Sequence, residues 1–246
     1  MQKVVIAVLI FYSNVSYGET INLNDPRPLA QAARLVQKRF SVPINYEDTY
    51  YISNADVAPL GRQPRVIPTF RALSVTIPAL LVKDEKNQYE TAFRVIRSVV
   101  AKFNAIRGAD LFRVFGDGRA LTIQSIAYVD GHDHLQPLSP LLDRVTTLKT
   151  IDLPYSAAIE RVLALAVGGS RTIVPGTINL GGLRPINGSQ LVSFDIKNRP
   201  AREAMSIILQ KQTMKPAWKL YCPPSPDMEC ALNVDSVDET PQGLSR

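Results

Sequence analysis

Cysteine and histidine are scarce in this chain, with two of each among 246 residues, and tryptophan occurs once. Each scarcity excludes chemistry. His132 and His134 both lie in "VDGHDHL", so a Ser-His-Asp hydrolase would depend on one of them, and no G-x-S-x-G elbow is present. A thiol nucleophile is not expected if Cys222 and Cys230 pair. No Lys/Arg block of five occurs, which argues against nucleic-acid binding despite a net charge of +6. "GDG" and "LGGL" carry glycines, but neither sits between a strand and a phosphate-facing helix start. No paired carboxylates are placed by the pattern across a cleft. The expectation is a non-enzymatic protein without a cofactor.

What is present is ordinary globular composition, 46% hydrophobic. The length suits one large domain or two small ones. A chain of this size buries roughly 70% of its unfolded surface, so its core needs no metal or disulfide to hold it.

The N-terminus stands apart. Lys3 precedes "VVIAVLIFY", an apolar run of nine from Val4 to Tyr12, and "SNVSYG" follows. Small residues at Ser16 and Gly18 complete a signal-peptide layout over 1–18, cut after Gly18. The other reading is a buried N-terminal strand. No cysteine follows the run, which argues against a lipid anchor. No later segment reaches eighteen apolar residues, so no membrane span is expected once the signal is removed. A periplasmic or secreted protein is the expectation. Cys222 and Cys230 bracket "PPSPDME" between strand-like "AWKLY" and "ALNV". In an oxidising compartment they should pair at the base of a hairpin loop, worth roughly 2–3 kcal/mol. A metal thiolate pair or a redox pair are the alternatives, though both favour closer spacing.

Hydrophobic periodicity divides the remainder into two similar halves. "ETINLND" reads as a strand, and "PRPLAQAARLVQKRF" as a helix with Leu29, Ala32, Ala33, Val36 and Phe40 on one side. "VPINYED" is a second strand and 53–70 a loop. "ALSVTIPAL" is a strand, followed by a helix from Gln88 to about Arg107. Its stripe is Ala92, Phe93, Ile96, Val99, Val100, Phe103 and Ile106, with Gly108 as C-cap. A hairpin turning at Gly116-Asp117-Gly118 closes the half. From Leu148 the order recurs: "LKTIDLP" strand, "YSAAIERVLALAV" helix, "RTIVPG" strand, "QLVSFDIKN" strand, a helix after Pro200, and a closing hairpin. The expected fold is α+β, two tandem βαβ-βαββ modules with helices on small mixed sheets. The expected layout is a first domain at 19–128, a linker at 129–145, a second domain at 146–235 and a tail at 236–246.

"TIDLPYSAAIERVLALA" followed by "VSFDIKNRPAREAMSIILQKQTMKPAWKLY" resembles the short N-terminal domain shared by secretins and TonB-dependent transducers. Asp152, Leu153 and Pro154 match its first strand-to-helix corner. Asp195, Lys197, Asn198, Arg199 and Pro200 match its second. "INLNDPRPLAQAARLV" repeats the logic more loosely. The first half departs by its insertion at 53–70 and by lacking a helix-ending glycine after Phe40. No secretin core or barrel follows within the 246 residues. The resemblance implies a stand-alone module in two diverged copies that binds an envelope or exported protein and does no catalysis. Its oligomeric state is open.

Candidate contact residues complete the list. Tyr46, Tyr50 and Tyr51 in "YEDTYY" suit an interface; the other reading is packing in the core and a loop. Arg94 and Arg97, with Lys102, offer a face for an acidic partner or simply a solvated side. His132 and His134, on an extended H-x-H, point to one side and with Asp130, Asp133 or Asp143 suit zinc or copper. The competing reading is a polar inter-domain loop.

Overall fold

The computed structural model describes residues 18–51, 57–59, 66–68, 72–78, 84–167, 173–175, 191–210, 215–222 and 230–237. The N-terminal run expected to be a signal peptide, the expected tail beyond residue 237 and the loop between the cysteines lie outside these residues. The chain is α+β: the described residues hold four α-helices, one mixed six-stranded sheet and four two-stranded antiparallel ribbons.

The first half contains β1 (Glu19–Leu23), α1 (Pro28–Phe40), β2 (Ile44–Glu47), β3 (Val57–Pro59), β4 (Val66–Pro68), β5 (Leu73–Ile77), α2 (Glu85–Arg107), β6 (Phe112–Gly116) and β7 (Leu121–Ser125). A connecting hairpin, β8 (Ala127–Val129) and β9 (Leu135–Pro137), and a 3-10 turn (Leu141–Asp143) lead on. The second half contains β10 (Val145–Pro154), α3 (Tyr155–Val167), β11 (Ile173–Pro175), β12 (Leu191–Pro200), α4 (Ala201–Leu209), β13 (Pro216–Tyr221) and β14 (Cys230–Ser236).

Both halves use the same pairing. In the first, β1 and β5 form an antiparallel ribbon, while β2 runs parallel to β7 and β7 antiparallel to β6. In the second, β10 and β12 form the ribbon, β11 is parallel to β14 and β14 antiparallel to β13. Each half has its own core around its own two helices. The halves are nevertheless one sheet. β13 pairs in parallel with β2, giving six strands in the order β11-β14-β13-β2-β7-β6.

Local chemistry explains the elements. Pro28 opens α1, where a missing N–H costs nothing. Ser41 ends it at φ 52°, taking the left-handed position that a glycine usually fills. α2 begins at Glu85, three residues before the periodicity starts at Gln88, because the Asp84 side chain accepts from the Lys86 N–H and caps it. Gly108 ends α2 at φ 67°. Ala92, Val95, Ile96, Val99, Val100 and Phe103 are buried along α2, each larger side chain worth about 1.5–3 kcal/mol. Ile106 is half exposed and leaves the expected stripe. The 53–70 loop contains the β3–β4 hairpin. The 129–145 segment is structured too: Leu142 is fully buried in the second core.

Candidate functional site

The strand-to-helix corners of the second half are built on β-bulges. The β10–β12 ribbon slips register between Thr146 and Leu148 and again between Thr150 and Leu153. Asp152 and Asn198 sit at these irregularities with φ 48° and 49°. Asp and Asn tolerate this left-handed conformation because their short side chains bond locally. Here the Asp152 N–H donates to Ser193 Oγ, and the Asn198 N–H donates to Thr147 Oγ1. The corners bend the ribbon around the helices and carry no reactive group.

One face of this ribbon, Leu148, Val192, Phe194 and Ile196 among it, lies in the second core. The other faces solvent. Lys149 stands opposite Asp195, and Lys197 pairs with Asp195 at 3.3 Å. Apolar residues are exposed there as well: Val145 at 60%, Ile151 at 75% and Leu191 at 57%. Pro154 pairs with Leu191, so Ile151 and Leu191 lie at the same end of the ribbon.

The seam between the halves is held by buried charge. Asp48, just after β2, has a fully buried side chain. Its carboxylate accepts from Tyr46 Oη at 2.7 Å, Tyr51 Oη at 2.6 Å, Arg27 Nε at 2.6 Å and the Cys222 N–H at 3.2 Å. Arg27 also donates to the Cys222 carbonyl and lies over the Tyr51 and Tyr221 rings. Burial opposes the Arg27 charge, but Asp48, Tyr51 and Tyr46 together outweigh it and raise its pKa. Burial, then Asp48, pushes both the Tyr46 and Tyr51 hydroxyls well above their ordinary value. On the opposite face, Arg202 of α4 grips Glu47 of β2 with two hydrogen bonds, 2.7 and 2.9 Å, and also bonds Asp143. Burial raises the Glu47 carboxyl to about 7, against the pull of Arg202. Two clefts flank the seam. One of about 390 Å³ is lined by Tyr89, Trp218, Asn45 and Lys215; the other, about 780 Å³, by Arg113, Phe115, Arg199 and Ile207.

The expected contact residues fall differently. Tyr46 and Tyr51 are 1% and 9% exposed and belong to the Asp48 network, so they form no contact surface. Tyr50 is half buried, its ring 5.4 Å from Tyr128. Arg94 and Arg97 do lie on the exposed side of α2. The H-x-H segment is a turn, not extended chain. Asp133 has φ 61°, and Asp130 accepts from the His132 N–H, the His134 N–H and Gln136 Nε2. These contacts hold the Asp130 carboxyl down near 2. The two imidazole rings are 6.3 Å apart, and no group of three His, Cys, Asp or Glu is placed to hold a metal among the described residues. Cys222 and Cys230 form a buried disulfide, which joins the ends of β13 and β14. Among the described residues no helix is long and apolar enough to cross a membrane.

Periodicity alone missed Asp48, Glu47 and Arg202. An acidic pair ending an apolar strand, "INYED", was the available signal. The chain matches no family model, no curated protein and no solved structure.

Proposed function

We propose that this is an extracytoplasmic, non-catalytic interaction protein of the bacterial envelope. On this reading its N-terminal run is a cleaved signal. Its two halves are diverged copies of the short N-terminal domain of secretins and TonB-dependent transducers. The disulfide between Cys222 and Cys230 supports an oxidising compartment. Apart from the β3–β4 pair of the first half, the same strand and helix order in both halves, with the two corner motifs on the ribbon of the second, supports the resemblance.

The observation that carries the interaction reading is the outer side of the β10–β12 ribbon. A two-stranded ribbon with Ile151 and Leu191 exposed at one end offers apolar anchors beside strand edges that no described strand covers. An extended segment of an envelope or exported protein can add to such an edge through main-chain bonds, with its apolar side chains against Ile151 and Leu191. The test is a crosslinking pull-down from solubilised envelope with the tagged protein and with Ile151→Asp/Leu191→Asp. A partner retained by the parent and lost by the folded variant supports the reading. Equal capture by both overturns it.

A further inference from the structure

The joint between the two halves is heterologous: two different strand edges meet. By its place in the pairing, β13 is the counterpart of β6, and β2 is the counterpart of β11. The second half thus offers its β6-type edge to the β2-type edge of the first. Within either half these two edge strands are antiparallel, yet across the joint β13 and β2 are parallel. The second half is therefore inverted in strand direction. It is also inverted in face. Lys219 is in register with Tyr46, and Leu220 with Glu47. Tyr46 belongs to the first core and Leu220 to the second, so the two pairs of helices cover opposite faces of one sheet. The operation is a half-turn about an axis across the strands with an advance of three strands. Such a relation does not close on itself.

Its two unused edges are the same kinds of edge. β6 ends the sheet on one side and β11 on the other, with no described strand beyond either. At the internal joint the Asp48 N–H donates to the Leu220 carbonyl, and the Trp218 N–H is taken by the side chain of Asn45. β6 matches β13 in register, Val114 standing to Ile123 as Leu220 stands to Leu232. Its Phe112 N–H and carbonyl are both taken within the same half by the Asn104 side chain of α2, whereas Asn45 reaches Trp218 from across the joint, so Val114 is the β6 residue left to pair. Leu121 donates its N–H to Pro43, away from β6, and Ile123 two residues on has the same orientation. Val114 therefore turns its N–H and C=O to the outer edge. On β11, by the same alternation, Pro175 faces outward. Proline has no N–H to strand there, and its carbonyl remains as an acceptor.

We infer that a second copy of this chain docks head to tail, the β6 edge of one molecule pairing in parallel with β11 of the next. The Val114 N–H donates to the Pro175 carbonyl of the neighbour. Each addition extends the sheet by six strands and alternates the helices between its faces. This rests on the sheet alone and is independent of the ribbon reading above.

The test is sedimentation velocity of the purified, disulfide-bonded chain over a wide concentration range, beside Val114→Pro. The parent should form species that grow beyond the dimer with concentration. The variant removes an outward N–H and exchanges a side chain only partly buried against the first core, so it should keep the parent's circular dichroism and stay monomeric. Mixed with the parent, it still presents β11 and should shorten the assemblies. If Val114→Pro fails to fold, the ester analogue carrying the α-hydroxy acid of valine at position 114 serves, because it deletes the N–H and keeps the side chain that packs on the first core. A parent that stays monomeric throughout, or one that stops at a two-fold dimer, overturns the inference.

Discussion

Glu47 and Arg202, 155 residues apart, meet in a two-pronged ion pair that ties β2 of the first half to α4 of the second. Arg202 also reaches Asp143 in the connecting segment, so three parts of the chain converge on one guanidinium. Breaking a buried pair on one side leaves a charge without its partner, at a cost of about 3–5 kcal/mol. Arg202→Met should lower stability by that order at pH 8, read by urea unfolding. Loss of under about 1 kcal/mol would mean that the pair is no more than a surface contact.

The same pair sets a pH dependence. Burial lifts Glu47 from 4.5 to about 7 in the folded protein. The folded state then holds a proton that the unfolded chain has released, so stability falls as pH rises between these values. The contribution is full below about 4.5 and lost as pH passes 7. Glu47→Gln cannot release this proton. The stability of the parent relative to Glu47→Gln should therefore decline from pH 4.5 to pH 8. A difference that is flat, or that rises with pH, would show that Arg202 keeps Glu47 ionised throughout.

Asn198 tests the corner. At φ 49° it occupies a left-handed position that β-branched side chains avoid, at a cost of roughly 1–2 kcal/mol. Asn198→Gly should be close to neutral and Asn198→Val destabilising by about that amount in thermal melts. Equal effects would place the role of Asn198 in its side-chain bond with Thr147 instead.

The disulfide closes a short loop between residues eight apart. Replacing both cysteines by serine should lower stability by about 2–3 kcal/mol, mainly by freeing the unfolded chain. Reduction of the parent should reproduce the loss.

Much of the fold was legible in the residues. α1 and α2 follow from apolar spacing, and the end of α2 from Gly108. The β6–β7 hairpin follows from Gly116-Asp117-Gly118, and β12 from the alternation of Val192, Phe194 and Ile196 with Leu191, Ser193 and Asp195. The tyrosines misled because "YEDTYY" looks the same whether its hydroxyls meet water or a buried Asp48. H-x-H misled for a local reason: Asp130 gathers the two histidine N–H groups and turns the chain where two-residue alternation assumes a straight strand.

The sequence by itself determined the four helices and most of the strands and their order in each half, though not the β3–β4 and β8–β9 pairs, because apolar spacing depends on neighbours within a few residues. Only the tertiary structure decided that the halves share one sheet. Backbone hydrogen bonding at a strand edge is the same for any residue but proline, so nothing in the letters of β2 and β13 announces that they meet. The charges at that seam follow from the same decision. Once β13 lies beside β2, Glu47 and Asp48 are cut off from water, and Arg202 and Arg27 are the groups within reach to bond them.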